Sequence, residues 1–134
     1  MNKSRFKPPY KPDGATNFRA TVKRSGVYII KSRATDRILY IGYSATNLYR
    51  TMYRHFQSWN DSQQVRVTYR DKNAYLVRVV YATPTQAAKL EKGLIAKYKP
   101  KDNPHKIDLS ELLKENLKMV EEYERENVRT DIPF

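Results

Sequence analysis

The sequence contains no cysteine, which excludes disulfides and every thiolate metal site, zinc fingers and knuckles included. It has only two histidines, His55 and His105, too few for a histidine-rich metal cage. Any metal it binds is therefore a hard ion held by oxygen ligands. No run of about 18 apolar residues is available to span a membrane. The N-terminal stretch MNKSRFKPPYKPDG carries basic residues without the apolar segment of a secretory signal, so the expected compartment is the cytosol. Acidic residues are scarce over most of the chain. Residues 1–106 hold 22 Lys/Arg against 6 Asp/Glu, whereas residues 107–134 hold 4 against 8.

What remains is a 134-residue chain with 40% hydrophobic and 30% charged residues, enough for one folded domain. The net charge of +12 points to a polyanionic partner, nucleic acid foremost. Residues 1–20 read as a basic, loosely ordered arm, residues 21–106 as the main domain, and residues 107–134 as an acidic helix and tail beside it.

Two β-rich runs, GVYIIKS from Gly26 and RILYIGY to Tyr43, flank a short polar turn and predict an antiparallel hairpin. Ser44 or Thr46 can cap a helix running to about Trp59, with Leu48, Met52, Phe56 and Trp59 as its buried stripe. His55 lies beside that stripe, and Arg50 and Arg54 lie on the opposite flank. One strand is expected over 75–82, and a further strand is open over 65–70. Thr83-Pro84-Thr85-Gln86 is a helix start with a capping box, and that helix stops near Tyr98, before Pro100. A third, amphipathic helix is expected over about 109–126. These elements, a hairpin, one further strand with a second open, and three helices, make a mixed α+β chain.

Glu91 is the only glutamate among the first 106 residues. A solitary carboxylate at the edge of an apolar stripe in a cationic domain needs a partner. Two are open: a neighbouring lysine (Lys92, Lys97 or Lys99), or Mg²⁺ held by this carboxylate together with water and phosphate.

Taken in order, Gly26-Val27-Tyr28, Tyr40-Ile41-Gly42, the basic helix with His55, Glu91 and Asn103 resemble the GIY-YIG nuclease superfamily. Glu91 stands twelve residues before Asn103, and the intervening Leu94-Ile95, Lys97 and Pro100 are similar to the pattern of its excision-repair members. The segment YRHFQSW is similar to the short stand-alone members of bacteria and mobile elements. The resemblance covers roughly residues 25–104. It implies a compact α+β core, a small three-stranded antiparallel sheet with a fourth edge strand as the alternative, flanked by helices, and a DNA endonuclease that hydrolyses a phosphodiester in one step. In that scheme Glu91 holds a single Mg²⁺ or Mn²⁺, and of Tyr28 and Tyr40 one activates or positions water while the other supports the site. An arginine clamps the phosphate, His55 assists proton transfer or binds phosphate, and Asn103 orients the site. Counting ten residues on from Tyr40 gives Arg50 as that arginine, whereas counting back four from His55 lands one residue off, on Thr51; Arg50 is the first choice and Arg54 the second. Lys97, Lys99 and Lys101 are expected to join both arginines in holding DNA. A non-catalytic DNA-binding or recruitment module, and a ribosomal or RNA-binding protein, are the competing readings. A monomer or a homodimer fits equally. The ending Asp131-Ile132-Pro133-Phe134 is similar to the partner-docking tail of bacterial single-stranded-DNA-binding proteins, and offers a site for a partner protein.

Overall fold

The computed structural model describes residues 1–57, 69–103, 110 and 112–134. The elements run β1 (Asn2–Lys3), β2 (Gly26–Ser32), β3 (Ile38–Ser44), α1 (Leu48–Tyr53), β4 (Tyr75–Tyr81), α2 (Pro84–Tyr98) and α3 (Lys114–Arg125). The strands form one antiparallel sheet in the order β1-β4-β2-β3. The α+β class and the C-terminal helix follow the expectation.

The strand β2 is central and covered on both faces, which is why it reads as a nearly unbroken β-branched and aromatic run. Its alternate side chains divide the core in two. Tyr28 and Ile30, with Val77, Val79 and Tyr81 of β4, pack against Leu48, Met52, Tyr53 and Phe56. Val27 and Ile29, with Ile41 and Val80, pack against Leu90, Leu94 and Val120. The sheet thus lies between α1 on one side and the α2–α3 pair on the other.

The fourth strand is the N-terminal one. Asn2 and Lys3 pair with Tyr81 and Val80, and Lys7 exchanges backbone hydrogen bonds with Val77. Farther along, Phe18 is fully buried, and the Tyr53 hydroxyl bonds the Pro9 carbonyl and the Thr16 hydroxyl. The expected loose arm is therefore laid against the sheet edge and the α1 side. Its few apolar residues stand isolated among Pro and Lys, so no periodic pattern announces this packing. The other candidate strand, 65–70, falls mainly outside the described residues.

Helix α1 is shorter than expected. Ser44 Oγ accepts from the Thr46 and Asn47 N–H groups, and Asn47 is the N-cap, accepting from Arg50. After Tyr53 the chain tightens into a 3₁₀ turn, Arg54–Phe56, that buries His55 and Phe56 together. Trp59 lies outside the described residues. Helix α2 begins as expected, with Thr83 and Gln86 forming a reciprocal capping box behind Pro84. The acidic α3 packs on basic α2, with ion pairs Lys89–Glu115 and Lys97–Glu124. These exposed pairs orient the helices more than they stabilise them. The tail folds back, and Phe134 stacks on Tyr81 at 4.8 Å while the Tyr81 hydroxyl donates to the Pro133 carbonyl.

Gly26 is required by space. A Cβ there would run into the Val80 carbonyl oxygen of the paired strand β4, a backbone atom that cannot swing away. Gly26→Ala is expected to destabilise the fold by about 1–3 kcal/mol or more, read as a lower midpoint in chemical denaturation.

Candidate functional site

The antiparallel register sets Tyr28 opposite Gly42 and Ile30 opposite Tyr40. Tyr28 and Tyr40 are thus diagonal neighbours on the α1 face of the sheet. Their rings stack with centroids 6.1 Å apart at 21°. A Cβ at Gly42 would collide with the Tyr28 ring and hydroxyl, so the second glycine of the motif is the space into which the first tyrosine projects. The 3₁₀ turn after α1 brings His55 onto the pair. Its ring centroid lies 4.5 Å from that of Tyr40, and Nε2 is 3.0 Å from the Tyr28 hydroxyl. That contact is a hydrogen bond in either imidazole tautomer.

The two tyrosines are not equivalent. Tyr28 is 2% exposed, whereas Tyr40 is half-buried at the rim. Burial, then the nearby Tyr40 and Glu91, hold the Tyr28 phenol well above its ordinary pKa, so it is a neutral hydrogen-bonding group.

Glu91 approaches from the other side. It lies on α2, on the flank facing the outer edge of β3, and its carboxylate accepts from the Tyr43 backbone N–H. Burial pushes its pKa up to about 7, against which that hydrogen bond pulls weakly. None of the neighbouring lysines pairs with it; Lys97 is bound to Glu124. Among the described residues no cluster of three or more His, Cys, Asp or Glu side chains forms a multidentate metal cage. An ion at this place would rest on one carboxylate, with water and substrate oxygens completing its shell, as hard divalent cations accept.

Asn103 completes the same edge. Its Oδ1 accepts from the Ile41 N–H at 3.0 Å and its Nδ2 donates to the Ile41 carbonyl at 2.8 Å. One residue earlier, the Asp102 N–H donates to the Leu39 carbonyl at 2.9 Å. Sequence reasoning missed the parts played by Leu39, Tyr43 and Asp102, because they act through backbone groups or through a register that only pairing defines.

The structure thus brings Tyr28, Tyr40 and His55 into direct contact, with Glu91 and Asn103 anchored on β3 beside them. The cations are arranged differently. Arg50 is exposed on α1, and Arg54 is half-buried at the start of the 3₁₀ turn, next to His55. Neither forms an ion pair with another described residue. Lys97, Lys99 and Lys101 are exposed around the end of α2, where Lys99 takes the left-handed conformation that ends the helix.

A family model of the GIY-YIG catalytic domain matches residues 24–106, more than half of the chain. The chain belongs to the GIY-YIG family, whose domain indicates a nuclease-type function. No curated protein matches it. No helix among the described residues is long and apolar enough to cross a membrane.

Two predictions follow from the β3 edge. Asn103→Ala leaves the Ile41 N–H and carbonyl without their partners, and a loss of about 1–3 kcal/mol is expected in denaturant unfolding. For Glu91, a folded-state pKa above the unfolded value means that the native state binds the extra proton. Its contribution to stability is therefore undiminished below about pH 4.5, falls as pH rises, and is fully lost above about 7. In metal-free protein the melting temperature of Glu91→Gln, relative to wild type, should accordingly rise across that window in calorimetry. A constant difference would contradict the assignment.

Proposed function

We propose that the chain is a divalent-metal-dependent DNA endonuclease. The observation that supports this best is the contact of Tyr28, Tyr40 and His55 with one another, beside a carboxyl group poised near neutrality on the adjacent strand edge. Hydrolysis of a phosphodiester requires a positioned, deprotonated water, neutralisation of charge on the non-bridging oxygens, and a proton for the leaving oxygen.

Glu91 would hold the metal. Its oxygen donor suits Mg²⁺ or Mn²⁺, and a pKa near 7 means that little free energy is needed to free the carboxylate at neutral pH. When bound, such an ion neutralises phosphate charge and acidifies water. Tyr40, the more accessible phenol, faces the substrate and positions the attacking water. Tyr28 holds His55 through the 3.0 Å hydrogen bond, and the imidazole receives or returns the proton in transit. Arg50 or Arg54 clamps the scissile phosphate; a planar guanidinium matches two non-bridging oxygens. Arg54 adjoins His55, while Arg50 presents its charge from the outer face of α1. Asn103 keeps β3, and therefore Tyr40, in place. Lys99 and Lys101, with the cationic surface of residues 1–106, hold the duplex by phosphate contacts, which makes binding strongly salt-dependent. Lys97 contributes less, since Glu124 already neutralises it.

The C-terminal tail offers a partner-docking segment, but a partner that captures Phe134 must first lift it from Tyr81.

The test is nicking of supercoiled plasmid and of linear, flapped and branched DNA with and without Mg²⁺ or Mn²⁺. Wild type should cleave only with metal. Glu91→Ala and Tyr28→Phe should each lower the rate by about 10²-fold or more while DNA affinity holds. Cleavage retained by Glu91→Ala would refute the metal assignment. Salt-sensitive binding without cleavage of any substrate would make the chain a non-catalytic DNA-binding module.

A further inference from the structure

Tyr69 and Asp102 lie outside every element of the family motif, yet they join the two pieces of backbone that carry the reactive side chains. The Tyr69 N–H donates to the His55 carbonyl at 2.6 Å, and the Tyr69 ring lies 6.1 Å from the imidazole. At its other end the Tyr69 hydroxyl donates to Asp102 Oδ2 at 2.8 Å. Asp102 in turn donates its backbone N–H to Leu39, the residue before Tyr40. The contacts close a ring: His55, Tyr69, Asp102, Leu39, Tyr40, and back to His55 through the 4.5 Å ring contact.

We propose that Tyr69 and Asp102 form a clasp that positions the His55 imidazole against Tyr40 and Tyr28 for phosphodiester cleavage. Both are positioning residues, since neither is placed to touch the reacting atoms. The packing role of Tyr69 alone does not account for this arrangement. Its ring, 5% exposed and packed on Phe56 and Tyr75, could be supplied by phenylalanine. The hydroxyl adds a directed bond to a carboxylate, and burial and the Asp102 hydrogen bond keep that phenol protonated, hence a permanent donor. The 3₁₀ turn bearing His55 lies on the α1 side, whereas Asp102 follows α2 on the other. Both supports pack on the same sheet, and the clasp adds a direct bond between them across the edge of β3. Misplacement by about 1 Å of a group engaged in proton transfer can cost roughly 100-fold in rate.

The inference rests on the nuclease reading, and its test separates the two. Tyr69→Phe and Asp102→Leu should each slow single-turnover plasmid nicking in Mg²⁺ by roughly 10- to 100-fold with unchanged DNA affinity. The double variant should be no slower than either single one, since both remove the same bond. Asp102→Asn, which still offers an oxygen to the Tyr69 hydroxyl, should recover most of the rate. The second readout needs no cleavage. The chain has two histidines, so the imidazole NMR signals resolve into two sets. Both single variants should shift or broaden the His55 set, which loss of one set in His55→Gln assigns. If wild type fails to nick, the nuclease reading falls and the imidazole signals still decide the clasp. Unchanged His55 signals in both variants, or undiminished nicking by both, would overturn the clasp. Should Tyr69→Phe fail to fold, Asp102→Leu, altered at a partly exposed side chain, decides alone.

Discussion

Everything at this site depends on how the outer edge of β3 is satisfied. A strand at the end of a sheet presents backbone donors and acceptors that must find water or a substitute. Here the substitutes are specific: the side-chain amide of Asn103 on Ile41, the backbone of Asp102 on Leu39, and the Glu91 carboxylate on Tyr43. Asn103 presents a donor and an acceptor together, as a neighbouring strand would, so one residue extends the sheet by a single rung. The same three contacts bind α2 and the turn after it to the strand that carries Tyr40.

Because that edge is held, the sheet can be crowded on its α1 face. Gly42 has no side chain, so Tyr28 fills the space above it, and Tyr40 stacks alongside. The 3₁₀ turn then closes over the pair with His55. Tyr28, Tyr40 and His55 are thereby held by packing and the Tyr28–His55 hydrogen bond, which is the condition the proposed catalytic role sets for a geometry that need not reorganise.

Charge is distributed to the same end. Residues 1–106 are strongly cationic, and their one glutamate, Glu91, is half-buried on the strand edge and forms no ion pair with another described residue. Desolvation outweighs the hydrogen bond from Tyr43 and lifts its pKa toward neutrality. The acidic C-terminal helix neutralises part of α2 through Lys89 and Lys97, and leaves Lys99 and Lys101 exposed past the end of that helix.

The sequence by itself determined the hairpin, the capping box at Thr83, the helix α2 and the order of the motif residues. These are local or nearest-neighbour features, written in β-branching, cap chemistry and spacing. It also marked Glu91 through composition, since a lone acid in a cationic stretch stands out. Tertiary structure decided what depends on chain segments far apart. The N-terminal residues become an edge strand because β4 offers open backbone groups, a demand that leaves no trace in their own composition. Helix α1 yields to a 3₁₀ turn because His55 and Phe56 must both face inward, which helical periodicity alone does not encode. Tyr28 and Tyr40 look alike in sequence, yet pairing register buries one and leaves the other at the rim. Register and burial are properties of pairs of segments, so only the folded chain assigns the two tyrosines different chemistry.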